Sequence, residues 1–194
     1  MPGPPRQFDE DEVLRVASDV FRERGYAQTS LSEIQRRAGL SRQSLYNAFE
    51  SKETLFAAVL DLYDRQELSE LVTILRGEGR GRERLLAVFE ALAKTARKAD
   101  CPGCLYGNVA GELGTVDPEV HARLLRGFAR VEDAARDAAA DAVAEGDLDP
   151  ELVPRDVARL IVSLVEGVSL FNRLHSNATY SQSLLRVLRR LLRA

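Results

Sequence analysis

The sequence predicts an all-α protein of about nine helices: a three-helix unit at the N-terminus, then a larger helical domain. Three observations predict it. Apolar residues recur at i, i+3 and i+4 along most of the chain. Several of these stretches open on Ser or Asp and close on Gly, the residues that cap and stop helices. No segment alternates with the period of two that a half-buried strand needs, and there is no repeat of fixed period.

Residues 1 to 7 read as an arm. Phe8, Asp9, Glu12 and Val13 suggest a hydrophobic staple and capping box opening the first helix. That helix runs to about Arg24, with Val13, Leu14, Val16, Ala17, Val20 and Phe21 as its apolar face and Gly25 as its stop. Thr29 to Lys52 reads as a helix-turn-helix with the next helix starting behind it. Ser30 caps its first helix, with Glu33 placed to close a capping box. Leu31, Ile34 and Ala38 form the apolar face, and Gly39 stops it where a left-handed residue is wanted. Leu40 fills the corner, Ser41 caps the second short helix, and Leu45 and Phe49 turn it inward. Ser51 caps a long fourth helix from Lys52 to about Leu75, so the first domain is set at residues 1–51 and the second at 52–194.

GEGRGRE (77–83) is a polar turn, and a helix follows from about Arg82 to Lys98. The break at 99–104 leads into CLYGNVAGELG as a sixth helix. Asp117 and Pro118 open a long Ala-rich seventh helix, to about Glu145. After EGDLDPELVP come an eighth helix, about Arg155 to His175, and a ninth, about Ser181 to Arg193.

The chain has 194 residues, enough for one large or two small domains with a real core. At 45% hydrophobic and 29% charged it reads as globular rather than disordered. No apolar run approaches the roughly 18 residues of a membrane span, and MPGPPRQF has no apolar signal core, so a cytoplasmic protein away from membranes is expected. Net charge is −3, and through Lys52 eight basic residues stand against eight acids. Only Arg36, Arg37, Arg42 and Lys52 form a one-signed run, so phosphate affinity must come from a small patch.

The outward positions at the start of the second short helix are Arg42, Gln43, Ser44, Tyr46 and Asn47. Such donors and acceptors on a short exposed helix suit base edges in a major groove. The plainer alternative is a helical hairpin that never meets DNA. Lys52, in the first turn of a capped helix, suits a phosphate, against the alternative of a solvated lysine.

This stretch resembles the helix-turn-helix of the tetracycline-repressor (TetR) family of bacterial transcription regulators. The resemblance rests on Phe21, Gly25, Thr29, Ile34, Ala38, Gly39, Ser41, Leu45, Tyr46, Phe49, Lys52 and Leu55. Its fold implication is an N-terminal three-helix DNA-binding domain followed by a helical ligand-binding and dimerisation domain. It implies a repressor that binds double-stranded operator DNA as a homodimer and answers to a small-molecule effector. The implied roles are base reading by Arg42, Gln43 and Asn47 and phosphate contact by Ser41, Ser44, Tyr46 and Lys52. Arg36 adds to the basic patch and Thr29 contributes a contact at the start of the first short helix. The sequence departs from the pattern at Ala48, where the family usually has Tyr or His, so one phosphate contact should be missing. The acidic run after Arg6 also argues against an arm in the minor groove.

The resemblance further implies a dimer through the last two helices, where Leu160, Leu164, Val187 and Leu191 add to more apolar surface than one core needs. Polar residues inside apolar helices are the effector candidates: Tyr106, Asn108, Glu112, His121, Glu166 and Asn172, with Phe89, Phe128 and Phe171 as possible pocket walls. Cys101 and Cys104 form a C-x-x-C, which admits a redox or electrophile-sensing switch or a small buried turn residue. With two His far off in sequence, a metal site is not expected, and no cofactor is called for. The chain has no nucleophile–base constellation and no glycine-rich phosphate loop, which argues against an enzyme.

Overall fold

The computed structural model describes residues 9–96, 103–114, 117–175 and 178–192. All regular structure among these residues is helical. In order it comprises α1 (Glu10–Gln28), α2 (Leu31–Arg37), α3 (Arg42–Ala48), α4 (Lys52–Tyr63), α5 (Ser69–Leu75), α6 (Gly81–Thr95), α7 (Leu105–Leu113), α8 (Pro118–Ala144), α9 (Pro154–His175) and α10 (Thr179–Leu191). A π turn, Asp64–Leu68, joins α4 to α5. Taken as one, they leave the expected nine helices. The N-terminal arm, Phe8 of the expected staple and Cys101 lie outside the described residues.

The chain divides into two compact units between Gln66 and Glu67. The boundary expected at residue 51 therefore moves into the π turn. The reason is that α4 packs on α1, burying Leu55, Phe56, Val59 and Leu60 in the first unit. The uninterrupted fourth helix expected from 52 to 75 is likewise corrected: its hydrogen-bond pattern widens at the crossing point between units.

In the first unit, Asp9 caps α1 by accepting from the Asp11 N–H at 3.0 Å. Gly25, at φ 79°, breaks helical geometry as its sequence position predicts, although helical turns resume to Gln28. The side chains of Val13, Leu14, Ala17, Val20 and Phe21 are buried. Ser30, Ser41 and Ser51 each accept from the backbone N–H three residues on, caps that typically contribute about 1 kcal/mol each.

In the second unit the long α8 packs on both α6 and α9. Leu124 and Val131 are buried on its N-terminal half, and Ala134, Ala135, Ala138, Ala139 and Ala142 on its C-terminal half, where the backbone at the start of α6 comes close. At Gly81 the approach is extreme: an added Cβ would lie 2.1 Å from the Ala138 carbonyl and 2.5 Å from the Ala142 nitrogen. The Gly81 N–H also donates to the Glu145 carboxylate at 2.8 Å, fixing the start of α6.

Gly81→Ala should therefore cost about 2–3 kcal/mol, read as a drop in Tm of roughly 5–10 °C. Gly111→Ala, where an added Cβ meets nothing within 4 Å, is the control that should leave the melt nearly unchanged.

Candidate nucleic-acid interface

The α2–α3 turn is fixed by backbone bonds before any side chain reads anything. Gly39 sits at φ 65°. Its N–H donates to Arg36 O at 3.3 Å and the Leu40 N–H to Gln35 O at 3.1 Å, the paired bonds of a Schellman turn. The Gln35 amide adds a bond to the Leu40 carbonyl at 2.7 Å. Ile34, Leu45 and Phe49 are buried, so the opposite face of α3 points to solvent.

That face carries Arg42, Gln43, Tyr46 and Asn47, all exposed, with Ser44 partly so. The side chains are already paired along the helix. Gln43 Nε2 donates to Asn47 Oδ1 at 2.7 Å, and the Arg42 guanidinium lies 5.4 Å from the Tyr46 ring centroid. The Ser41 and Ser44 hydroxyls are 2.8 Å apart. A groove of about 500 Å3 lies between α2 and α3, lined by Ser30, Leu31, Ser32, Gln35, Arg42, Leu45 and Tyr46. Lys52, in the first turn of α4, rests on the Tyr26 ring at 4.3 Å and donates to the Ala27 carbonyl at 3.4 Å.

Three sequence expectations need correction here. Thr29 is 3% exposed and its hydroxyl donates to Gly25 O at 2.7 Å, so it secures the end of α1 and has no surface left for DNA. Glu33 does not complete a capping box. Its carboxylate is drawn to Arg24 at 2.8 Å and Arg37 at 3.5 Å, since a nearly buried charge needs a counter-charge more than it needs a neutral N–H. Arg37 also pairs with Glu23 at 2.7 Å, so its charge is largely cancelled. Arg36 stays exposed.

The effector candidates differ in burial and in partners. Phe89 and Tyr106 are fully buried, and Tyr106 meets Phe128 edge-on at 5.7 Å. His121 is exposed and its Nδ1–H donates to Gly114 O at 2.5 Å. Asn172 is buried and donates to the Ser181 hydroxyl, a tie between α9 and α10, while its Oδ1 meets no hydrogen-bond partner among the described residues. Phe171 lies on the surface stacked on Tyr180 at 4.5 Å.

Asn108 and Glu166 do come together. With Cys104, Gly107, Gly167, Ser169 and Leu170 they line a cavity of about 240 Å3 between α7 and α9; Glu112 is not part of the lining. Burial pushes the Glu166 carboxyl above its ordinary range, with a hydrogen bond from the Cys104 thiol acting the other way. The Cys104 sulfur also accepts from the Gly107 N–H at 3.4 Å, capping α7. Gly107 leaves room for the carboxyl: an added Cβ would meet Glu166 Oε2 at 2.3 Å, and the Glu166 side chain would have to turn aside. Sequence reasoning passed over Gly107, Ser169 and Tyr26, whose roles depend on neighbours far away in sequence. Among the described residues no group of three or more His, Cys, Asp or Glu could hold a metal ion, and no helix is long and apolar enough to cross a membrane.

Comparison with known proteins follows the same division. Residues 13–59 match the model for bacterial regulatory proteins of the tetR family. Residues 81–188 match the tetracyclin repressor-like C-terminal domain. The HTH-type transcriptional repressor BdcR of Escherichia coli (strain K12) is 34% identical over 106 residues, 54% of this chain and 54% of that protein. The chain thus spans about half the length of BdcR. The uncharacterized regulator YezE of Bacillus subtilis (strain 168) is 30% identical over 133 residues, 68% of this chain and 69% of its own. A solved structure of the TetR family regulator CifR, a cysteine mutant complexed with 26bp double-strand operator DNA, is 30% identical. It covers 98% of this chain and 99% of its own, with a TM-score of 0.79. With its helix-turn-helix and its helical C-terminal domain each matched in turn, the chain belongs to the TetR family of bacterial helix-turn-helix transcription regulators.

Proposed function

We propose that the chain is a ligand-responsive repressor that binds a palindromic operator as a homodimer. The observation that carries this reading is the solvent face of α3, where Arg42, Gln43, Tyr46 and Asn47 stand exposed on a turn rigidly held by Gly39. Arg42 reads guanine, and Gln43 with Asn47 reads adenine. Ser41, Ser44, Tyr46 and Lys52 contact phosphates, with Arg36 adding to the field. A two-fold dimer sets the two reading helices about 34 Å apart, and this calls for a palindrome.

The homodimer is supported by an apolar stripe along α9 and α10. Leu160, Phe171 and Leu174 recur on one face of α9, and Tyr180, Val187 and Leu191 on α10, with Leu174 67% and Leu191 71% exposed. His175 extends the Phe171–Tyr180 stack, its ring 5.1 Å from that of Tyr180. Val157, Ile161, Val165 and Leu188 of the same helices are instead buried in the chain's own core. A second copy of the chain is the partner that fits a stripe of this length on two adjacent helices.

The effector is assigned to the α7–α9 cavity, small enough for a compact ligand that bonds Glu166 and Asn108. Effector and operator oppose each other through one coupling free energy, carried by the segment 52–75 that comprises α4, the π turn and α5. A second reading has Cys104 as a thiol sensor, favoured by its place at the N-terminus of α7. A Cys104→Ser variant that keeps its full ligand response on DNA removes that reading.

Three outcomes test these assignments. Gln43→Ala should relax preference at one or two base pairs by about 1–3 kcal/mol, measured by selection from random duplexes, while leaving the melt unchanged. Failure to recover any preferred sequence with the wild type would overturn the DNA reading itself. Leu174→Asp with Leu191→Asp should shift sedimentation from dimer to monomer and reduce operator affinity by a hundredfold or more, on the order of the avidity of two linked sites. For Glu166 the folded pKa lies above the unfolded one, so its contribution is present at low pH and is lost as pH rises through the folded value. The Tm of Glu166→Gln should therefore gain on wild type as pH rises from roughly pH 4 upward; a gap independent of pH would contradict this.

A further inference from the structure

We infer that Tyr26 is a positioning residue for DNA binding, its ring holding the Lys52 ammonium ready for a backbone phosphate. The inference rests on the reading of Lys52 as a phosphate contact.

Four observations meet at this point. The Lys52 ammonium is 4.3 Å from the Tyr26 ring centroid, well inside the range of an effective cation–π contact. One of its N–H groups goes to the Ala27 carbonyl at 3.4 Å, and an ammonium has three, so donors remain for a phosphate. The ring itself cannot swing away: it lies 4.8 Å from Phe56 and 6.0 Å from Phe21, both buried. Its hydroxyl donates to Glu53 at 3.1 Å, pinning the far edge. Hydrogen bonds from Ser51, from its own backbone and from Tyr26 keep the Glu53 carboxyl below the usual carboxylate range, so this anchor persists at neutral pH.

The choice of an aromatic partner has an electrostatic consequence. Arg24 and Arg37 are held by the carboxylates of Glu33 and Glu23, which fix them and cancel their charge. A ring fixes a cation through its quadrupole and leaves the net charge intact. In a domain with as many acids as bases through Lys52, that leaves donors of the ammonium open at the start of α4, with the Glu53 carboxylate held at the far edge of the ring, while ordering a side chain that would otherwise lose rotamer freedom on binding.

The test is a double-mutant cycle with Tyr26→Leu and Lys52→Gln, using the purified full chain and a palindromic duplex it has selected from random DNA, titrated at several salt concentrations. Lys52→Gln should flatten the log–log salt slope by about 1 per protomer. Tyr26→Leu should weaken binding by about two- to fivefold per protomer in the wild-type background and have no further effect in Lys52→Gln. Tyr26→Phe, which keeps the ring, should bind like wild type. In the free protein the Lys52 ε-methylene protons should show an upfield ring-current shift, retained in Tyr26→Phe and lost in Tyr26→Leu. Equal losses from Tyr26→Leu in both backgrounds would mean that Tyr26 acts only through packing, and would overturn the inference. An unchanged salt slope in Lys52→Gln would instead remove the phosphate reading of Lys52. Should Tyr26→Leu fail to fold, absence of the ring-current shift in the wild type overturns the inference alone.

Discussion

A seven-residue helix does not persist in water, because its few hydrogen bonds cannot offset the cost of nucleation. α3 is such a helix, and the first unit is arranged to hold it. The Schellman bonds at Gly39 set its entry angle, Ser41 caps it, and Leu45 and Phe49 bury its inner face. α1 and α4, packed on each other, supply the bulk that α2 and α3 lack. The exposed face of α3 is then free to carry polar groups that the apolar packing of the unit does not use.

Charge in this unit is managed by pairing type rather than by number. Arginines bound to carboxylates stabilise the fold: Arg24 and Arg37 neutralise the nearly buried Glu33. Arg42 and Lys52 rest on tyrosine rings instead. The distinction explains how a domain with no basic excess retains a positive edge. Binding through so few charges also gives the proposed two-fold dimer its importance, since doubling the contacts would double the phosphate contribution.

The second unit shows one sequence pattern divided between two roles. α9 and α10 are apolar round much of their circumference; part of that surface closes the chain's own core and the rest is exposed. Asn172 and Ser181, buried between them, fix how the two helices meet. Glu166 is the polar group kept on α9 within the α7–α9 cavity, tolerated because Gly107 leaves room for its carboxyl and Cys104 bonds to it.

The all-α class, the helix starts at Asp9, Ser30, Ser41 and Ser51, the turn at Gly39 and the outward face of α3 were legible in the sequence. Each depends on residues within four or five positions of one another, where periodicity, capping and glycine stereochemistry operate. Legible too was the apolar excess of α9 and α10, though not which half of it would be buried. What only the tertiary structure decided involves partners distant along the chain: Thr29 turned inward, Arg37 neutralised by α1, Asn172 tied to Ser181, Glu166 and Asn108 brought to one cavity, and Lys52 laid on Tyr26. A side chain's periodicity fixes the face it occupies, but its role depends on which neighbour satisfies its charge or hydrogen bond, and that neighbour is chosen by packing.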